Sequence, residues 1–474
     1  MIRQLLRRHF VFDQMDQLMN SPEQGAQTQR RSVDPVPGGD LTQEDYEEAR
    51  AALIKASQRG PEEHLVVHTL TADRRGRGGQ VERLDEKAFL SRDAITSIVQ
   101  SVLEQYYEEI EPEIQKVQEQ PADDRRAIGV ENPVTDTFLA SVAGDRRIWG
   151  RFEETDPIIL SDPLWVNSAI AMLWRRFRNK HAFNERPARP YTIRDDARLV
   201  LVGDWGTGLG RAQKISAEIK KVLEEGKAEG REQHVIHLGD VYYSGWEYEY
   251  RKRFLPYWPV QSEEDRQRVT SWACNGNHDM YSGGHAYFDY LLADERFALQ
   301  EQSSYFSFEN QHWQILGLDT AWDDHALKDP QATWVEQKLR DFPDRKTMLL
   351  SHHQLFSVYE DLGTTKLEEK LRGALDTDRI DAWFWGHEHR CVLYEPYKRV
   401  RFARCLGNGG VPVYRDEEPL KEPGVWQLQG YLPDPDGFEE WALFGFAVLD
   451  FQGPAIRVRY IDENGSPQKE EPIE

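Results

Sequence analysis

Five short apolar runs in this chain each end at a cluster of polar, metal-capable residues, and that coincidence limits the fold more than any other feature. Leu199–Val202 leads into Gly203-Asp204-Trp205-Gly206, and Val235–Leu238 into Gly239-Asp240-Val241-Tyr242-Tyr243. Val269–Ala273 leads into Gly276-Asn277-His278-Asp279, Met348–Leu350 into Ser351-His352-His353, and Ala382–Trp385 into Gly386-His387-Glu388-His389. Short apolar runs bounded by turn residues read as buried strands. The steps from Asp204 to Asp240, Asp240 to Asn277 and His352 to His387 are each roughly 35 residues, the length of a βαβ unit. The step from Asn277 to His352 is about twice as long and holds two further strand candidates, Tyr305–Phe308 and Trp313–Leu318. Helical stripes fill the gaps: Ala212, Ile215, Ile219, Val222 and Leu223, closed by Gly226, and later Trp334, Leu339 and Phe342. Beyond the last motif, Phe444–Asp450 and Ile456–Ile461 around Gly453 predict a hairpin at an antiparallel edge of the same domain. The class is therefore α/β, and α/β folds place ligands where the carboxyl ends of neighbouring parallel strands converge.

The residues delivered to those ends are Asp204, Asp240, Tyr243, Asn277, His352, His387 and His389. This mixed oxygen and nitrogen set is large enough to hold two metal ions side by side, the equipment for phosphate ester hydrolysis. Taken singly, a Gly-Asp pair is a turn and a lone His or Tyr belongs to core or surface; five clusters in one order exceed what chance supplies. Gly206-Thr207-Gly208-Leu209-Gly210 lacks dinucleotide-loop spacing and reads as the turn after the first motif.

The order GDWG, GDxxY, GNHD, strand-terminal His and GHxH resembles the calcineurin-like metallophosphoesterases, and within them the purple (tartrate-resistant) acid phosphatase branch, over about residues 197 to 465. Gly206 stands where most of that superfamily has a histidine, and Tyr243, three residues after Asp240, is the purple branch's replacement. The resemblance implies a four-layer αββα sandwich. It implies that Asp204, Asp240, Tyr243 and His389 hold one ion and Asn277, His352 and His387 the other, with Asp240 bridging. A phenolate with two carboxylates suits Fe(III), and two imidazoles with an amide suit a divalent Fe, Zn or Mn; two divalent ions are the alternative. Water on such ions loses a proton near neutrality and attacks phosphorus. His278 is expected to contact phosphate and protonate the leaving oxygen, Asp279 to orient His278, and His353 to touch phosphate. Ser351, Gln354 and Asn275 depart from residues common in the branch without removing a ligand. A phosphomonoester is the expected substrate, with a phosphodiester, nucleotide or nuclease substrate as the alternative and a non-enzymatic scaffold as the contrasting class.

Composition narrows partners. A net charge of −23 provides no positive field for nucleic acid or anionic lipid. Cys274, Cys391 and Cys405 are too few and too scattered for a disulfide framework or thiolate zinc site. The basic amino terminus (Arg3, Arg7, Arg8) is interrupted by Asp13 and Asp16 before a signal-peptide core can form, and no apolar run approaches a membrane span, so a cytoplasmic protein is expected. Residues 191–474 are read as the catalytic domain, and residues 1–190 as a mostly helical region for intramolecular or protein contacts. Within that region, 20–41 reads as a loop or linker, Thr42 as the cap of a helix through Leu53, and Ile95 to Tyr106 as an amphipathic helix. Arg74, Arg75, Arg77 and Arg83 read as a solvated loop, and Pro163 as the start of a helix carrying Val166 to Phe177.

Overall fold

The computed structural model describes residues 179–413, 419–432 and 441–474 and, before them, 43–57, 67–75, 81–89, 91, 93–105 and the single residues 11, 14, 15, 108, 169, 173 and 176. The expected linker at 20–41 and the basic amino terminus lie outside the described residues. Two compact units are present, one of residues 181–280 and 284–474 with 1–3, the other of residues 4–180 with 281–283.

In the second unit, α1 (Gln43–Ser57) buries Ala49, Leu53 and Ala56, and α2 (Ala94–Gln105) buries Ile98, Val99, Val102 and Leu103. Asp93 caps α2, its Oδ1 accepting from Thr96 N at 2.8 Å. Both helices follow the sequence pattern. The arginine stretch does not: β1 (Val67–Arg75) and β2 (Val81–Phe89) pair antiparallel over nine residues each, so Arg74, Arg75 and Arg83 are strand residues rather than loop residues. Arg77 lies outside the described residues. Of the helix expected after Pro163, only Ala169, Leu173 and Arg176 are described; all three are helical, and the first two are buried.

The larger unit is built on two sheets. One has six strands in the order β16 (Pro467–Ile473), β15 (Ala455–Asp462), β14 (Gly445–Gln452), β4 (Arg198–Val202), β5 (Gln233–His237), β6 (Val269–Ala273). The other has eight: β13 (Val425–Leu428), β11 (Cys391–Tyr394), β12 (Phe402–Leu406), β10 (Ile380–Trp385), β9 (Lys346–Ser351), β8 (Trp313–Gly317), β7 (Phe306–Glu309) and β3 (Tyr191–Thr192). Alternation along the strands divides their side chains between two faces. Leu199 and Leu201 of β4, Ala447, Leu449 and Phe451 of β14, Ile315 of β8, Met348 and Leu350 of β9, and Phe384 of β10 meet in one buried core between the sheets.

The outer faces carry helices. Helix α3 (Gly210–Ala228) buries Ala212, Ile215, Ile219, Val222 and Leu223 against the six-stranded sheet. On the eight-stranded sheet, Val335 and Leu339 of α4 (Gln331–Asp341) and Leu367 and Leu371 of α5 (Lys366–Leu375) pack with Leu349, Trp383 and Trp385. The result is an α/β four-layer αββα arrangement. Gly226 does not close α3 as expected; the helix continues to Ala228. A Cβ on Gly226 would lie 2.2 Å from Gln233 Oε1, so close packing onto β5 accounts for this glycine. The 444–461 hairpin exists, but β14 lies inside its sheet between β15 and β4, and β16 forms the edge. Burying β14 brings Asp450 against Arg198, Nε to Oδ1 2.5 Å, with both side chains almost fully enclosed. Among the described residues no helix is long and apolar enough to cross a membrane.

Candidate metal centre

The strands that end in motifs belong to both sheets. β4, β5 and β6 are parallel neighbours in the six-stranded sheet, and β9 and β10 are parallel neighbours in the other. Their carboxyl ends face one another across the sandwich, and six of the seven expected ligand residues meet there.

Asp204 Oδ2 accepts from His387 N at 2.7 Å, and its Oδ1 lies 3.5 Å from His389 Nε2. Asp240 Oδ1 accepts from His278 N at 2.9 Å, while its Oδ2 lies 3.3 Å from His352 Nε2. His352 Nδ1 lies 2.9 Å from the Leu238 carbonyl. A carbonyl only accepts, so Nδ1 carries a hydrogen and Nε2 is left to face inward. That Nε2 meets Asn277 Oδ1 at 3.0 Å and His387 Nδ1 at 3.1 Å. Two ring nitrogens, an amide oxygen and a carboxylate oxygen thus converge on one point, a donor set suited to a cation. Burial opposes charge on His352, yet the Asp240 and Asp204 carboxylates hold its imidazole up, to about 9. Burial, opposed by His352 and reinforced by Asp240, pushes Asp204 up to about 8. Asp240 itself stays below the usual carboxylate range, because His352 and His278 outweigh its burial.

Local backbone geometry is bent to make this convergence. Asp204, Asp240, His387 and His389 have φ of 56°, 74°, 69° and 55°, left-handed values that cost a residue with a Cβ roughly 1–3 kcal/mol each. The motif glycines answer to the same crowding. A Cβ on Gly276 would lie 2.1 Å from Asp240 Oδ1, and one on Gly386 2.6 Å from Asp204 Oδ2. Side chains at these positions would occupy the space of the ligand carboxylates.

Tyr243 is the expected ligand that the structure does not bring in. Its N–H donates to Glu249 Oε1, its ring packs 4.4 Å from the Arg253 guanidinium, and its carbonyl meets His278 Nδ1. The neighbouring Tyr242 occupies the place instead. Its hydroxyl lies 2.8 Å from Asp204 Oδ1, 3.0 Å from Asp240 Oδ2 and 2.8 Å from His389 Nε2. Arg253, buried, holds this arrangement by donating from Nη1 to the Tyr242 carbonyl at 2.6 Å. The carboxylate of Asp279 is also committed elsewhere than expected. It accepts from Asp240 N at 2.9 Å, Val241 N at 3.2 Å, Gly276 N at 2.7 Å and the Tyr250 hydroxyl. Asp279 thus ties the second motif to the third, and the Tyr243 carbonyl is what meets His278 Nδ1. His278 is buried with its ring 4.4 Å from that of Tyr242.

His353 sits one layer out, its ring centroid 4.6 Å from that of His387. Thr320 Oγ1 accepts from His353 N at 3.0 Å and lies 3.0 Å from Nδ1. Burial, then the neighbouring His325 and His352, hold His353 well below the ordinary imidazole range. Thr320, Glu249 and Tyr250 escaped the sequence reading. Thr320 had a signal, since the run Trp313–Leu318 ends on Asp319-Thr320 just as the other runs end on their motifs. Glu388, inside the fifth motif, turns outward to accept from Ser357 Oγ and Trp385 Nε1.

Among the described residues, three groups of side chains place potential ligand atoms within 4.8 Å of one another: Asp204, Asp240 and His389; Asp240, His352 and His387; and His325, His353 and His387. The first two share Asp240, which is the layout of a two-ion centre.

Known proteins are similar to this chain over the same residues. The family model for calcineurin-like phosphoesterase matches residues 197–391. Tartrate-resistant acid phosphatase type 5 from Homo sapiens is 25% identical over 295 residues, covering 56% of this chain and 88% of the human protein, and the Mus musculus protein is 24% identical over a similar span. Among solved structures, a dimetal phosphatase from Danio rerio is 13% identical with a TM-score of 0.38, over 61% of this chain and 99% of its own. Residues 197–391, which carry every residue of the centre, are the ones that match the calcineurin-like phosphoesterase model, and with the acid phosphatase relatives they mark this chain as a metal-dependent phosphoric ester hydrolase.

Proposed function

We propose that this chain is a binuclear metallophosphoesterase acting on a small phosphomonoester. The observation that carries the proposal is the shared carboxylate of Asp240, with Asp204, Tyr242 and His389 on one side and Asn277, His352 and His387 on the other. The first set, a phenol oxygen with two carboxylates, suits Fe(III); the second, two imidazoles and an amide, suits a divalent Fe, Zn or Mn. When bound, the ions supply Lewis acidity and an activated water for attack at phosphorus.

The chain's own residues supply positioning and proton transfer. The Leu238 carbonyl fixes the tautomer of His352, and His387 N braces Asp204, so the ligands are oriented before any ion arrives. His278, whose Nδ1–H donates to the Tyr243 carbonyl, directs Nε2 away from that contact and, as the imidazolium, gives its Nε2 proton to the leaving oxygen. His353, held by Thr320, contacts the phosphate from the outer side. Preference for a monoester rests on the relatives named acid phosphatases. The test is a panel of aryl phosphomonoesters and phosphodiesters together with metal counting. Two ions per chain and faster monoester turnover are expected; diester turnover at least as fast would reverse the substrate assignment, and fewer than two ions would refute the centre.

A further inference from the structure

The third histidine group reaches beyond the proposed centre: it takes in the ligand His387 and the phosphate-contacting His353, and adds His325. His325 lies between β8 and α4, in the segment Ala321–Lys328, and no motif of the sequence foretold it. Its φ of 57° is left-handed, and it places the ring 3.9 Å from that of His353 and 5.1 Å from that of His387, centroid to centroid. One nitrogen from each of the three rings falls within 4.8 Å of the others. His325 is exposed, whereas His353 is wholly buried.

A second observation points to a ligand. Among the described residues, His353 Nε2 is buried with no hydrogen-bond partner, and Asp324 Oδ1 lies 3.8 Å from it. The other nitrogen is taken up by Thr320 Oγ1. A buried ring nitrogen without a partner carries a desolvation cost unless something is coordinated there. Asp324 Oδ1 also lies 2.9 Å from His325 Nδ1, so a carboxylate oxygen stands beside both rings.

We propose that His325, His353 and His387, with Asp324 beside them, form an accessory site for a borderline divalent cation of the Zn²⁺ class. Three imidazoles with an open fourth position are a donor set that Zn²⁺ favours, and that Mg²⁺ or Ca²⁺ does not. The proposal rests on the two-ion reading above, because His387 belongs to both groups. Filling the accessory site draws on a ligand of the second ion, so excess Zn²⁺ opposes turnover while stoichiometric metal does not. His325 itself takes no part in the two-ion centre.

The test uses the full-length chain and His325→Asn, since asparagine tolerates the left-handed backbone and removes the ring. Zn²⁺ is titrated while ions per chain and phosphomonoester turnover are followed; Co²⁺ replaces it for a visible spectrum of the added site. At two equivalents of metal per chain, both proteins are expected to hold two ions and turn over alike. At excess Zn²⁺, the unmodified chain takes a third ion and loses activity, and in His325→Asn both effects move by about tenfold or more in Zn²⁺ concentration, as loss of a coordinating group requires. Identical third-ion uptake and inhibition in the two proteins would overturn the site. A third ion without loss of turnover would overturn the sharing of His387. Fewer than two ions in the unmodified chain even at excess metal would instead refute the two-ion reading.

Discussion

Replacing Gly276 by alanine tests whether the glycines of this centre are steric necessities. The added Cβ would lie 2.1 Å from Asp240 Oδ1, 2.7 Å from its Cγ and 2.8 Å from its backbone nitrogen. Relief requires a shift of about an ångström, given that carbon and oxygen rarely approach closer than ~3.3 Å. Asp240 has nowhere to go: it is 1% exposed, its Oδ1 accepts from His278 N, and its Oδ2 faces Tyr242 and His352. Overpacking costs about 1–3 kcal/mol. Each broken hydrogen bond to a charged group adds about 1.5–3 kcal/mol, so one of them brings the total to about 2.5–6 kcal/mol and two to about 4–9 kcal/mol. The expectation is a lower urea midpoint, fewer than two ions per chain and loss of phosphomonoester turnover. Gly210→Ala is the control. It opens α3, nothing lies within 4 Å of its Cβ position, and its φ is not left-handed, so a change between zero and about 1 kcal/mol of stabilisation is expected. A Gly276→Ala protein within 1 kcal/mol of the original by urea unfolding, with both ions bound, would refute the packing argument.

Tyr242→Phe should remove any tyrosinate-to-iron visible band and weaken metal binding, whereas Tyr243→Phe should keep the band; the opposite pattern would return the ligand role to Tyr243. His278→Ala should keep both ions and the thermal midpoint while slowing turnover by about 10²–10⁴, as for loss of a general acid; metal loss in this variant would make it structural. Asp279→Asn should do the reverse. It leaves at least one of three buried backbone N–H groups unmatched, at about 1–3 kcal/mol, and lowers metal affinity while leaving turnover at saturating metal largely intact. Arg198→Met removes the principal partner of buried Asp450, with Arg459 Nη2 still 3.3 Å away, and should cost about 3 kcal/mol in urea unfolding; a loss under 1 kcal/mol would show that Arg459 suffices.

The larger unit was legible where local pattern and function coincide. Strands β4, β5, β6, β9 and β10 are short apolar runs ending on ligands, and the runs mark both the strand and its functional end. What escaped was set by distant partners. β11 and β12 contain Cys391 and Arg404, and the buried Arg404 guanidinium is satisfied by Glu471 of β16, the Tyr460 hydroxyl and the Tyr394 and Ala403 carbonyls. The choice between Tyr242 and Tyr243 was equally remote. Spacing from Asp240 favours Tyr243, but Glu249 and Arg253, several residues downstream, take that residue's N–H and ring and leave Tyr242 to turn inward. The same holds for Asp279, whose neighbour His278 suggested a pair, while three backbone N–H groups and the Tyr250 hydroxyl satisfy it first.

The placement of the ligands on two sheets explains why five separated motifs were needed. A single parallel sheet offers its strand ends in a row, and a row cannot surround two ions. Here β4, β5 and β6 supply Asp204, Asp240 and Asn277 from one side of the sandwich, and β9 and β10 supply His352 and His387 from the other. Bonds across the seam bind each set to the opposite backbone: His387 N to Asp204 Oδ2, His352 Nδ1 to the Leu238 carbonyl, and Gly203 N to the Leu406 carbonyl. The ligands are therefore also the fasteners of the sandwich, and correct pairing of the two sheets and assembly of the centre are one structural event. An ion that binds only the paired state stabilises it by mass action, about 2.7 kcal/mol at a hundredfold excess over its dissociation constant. That gain would offset part of the cost of the left-handed backbone at Asp204, Asp240, His387 and His389, whose bending brings the two sets of donors together.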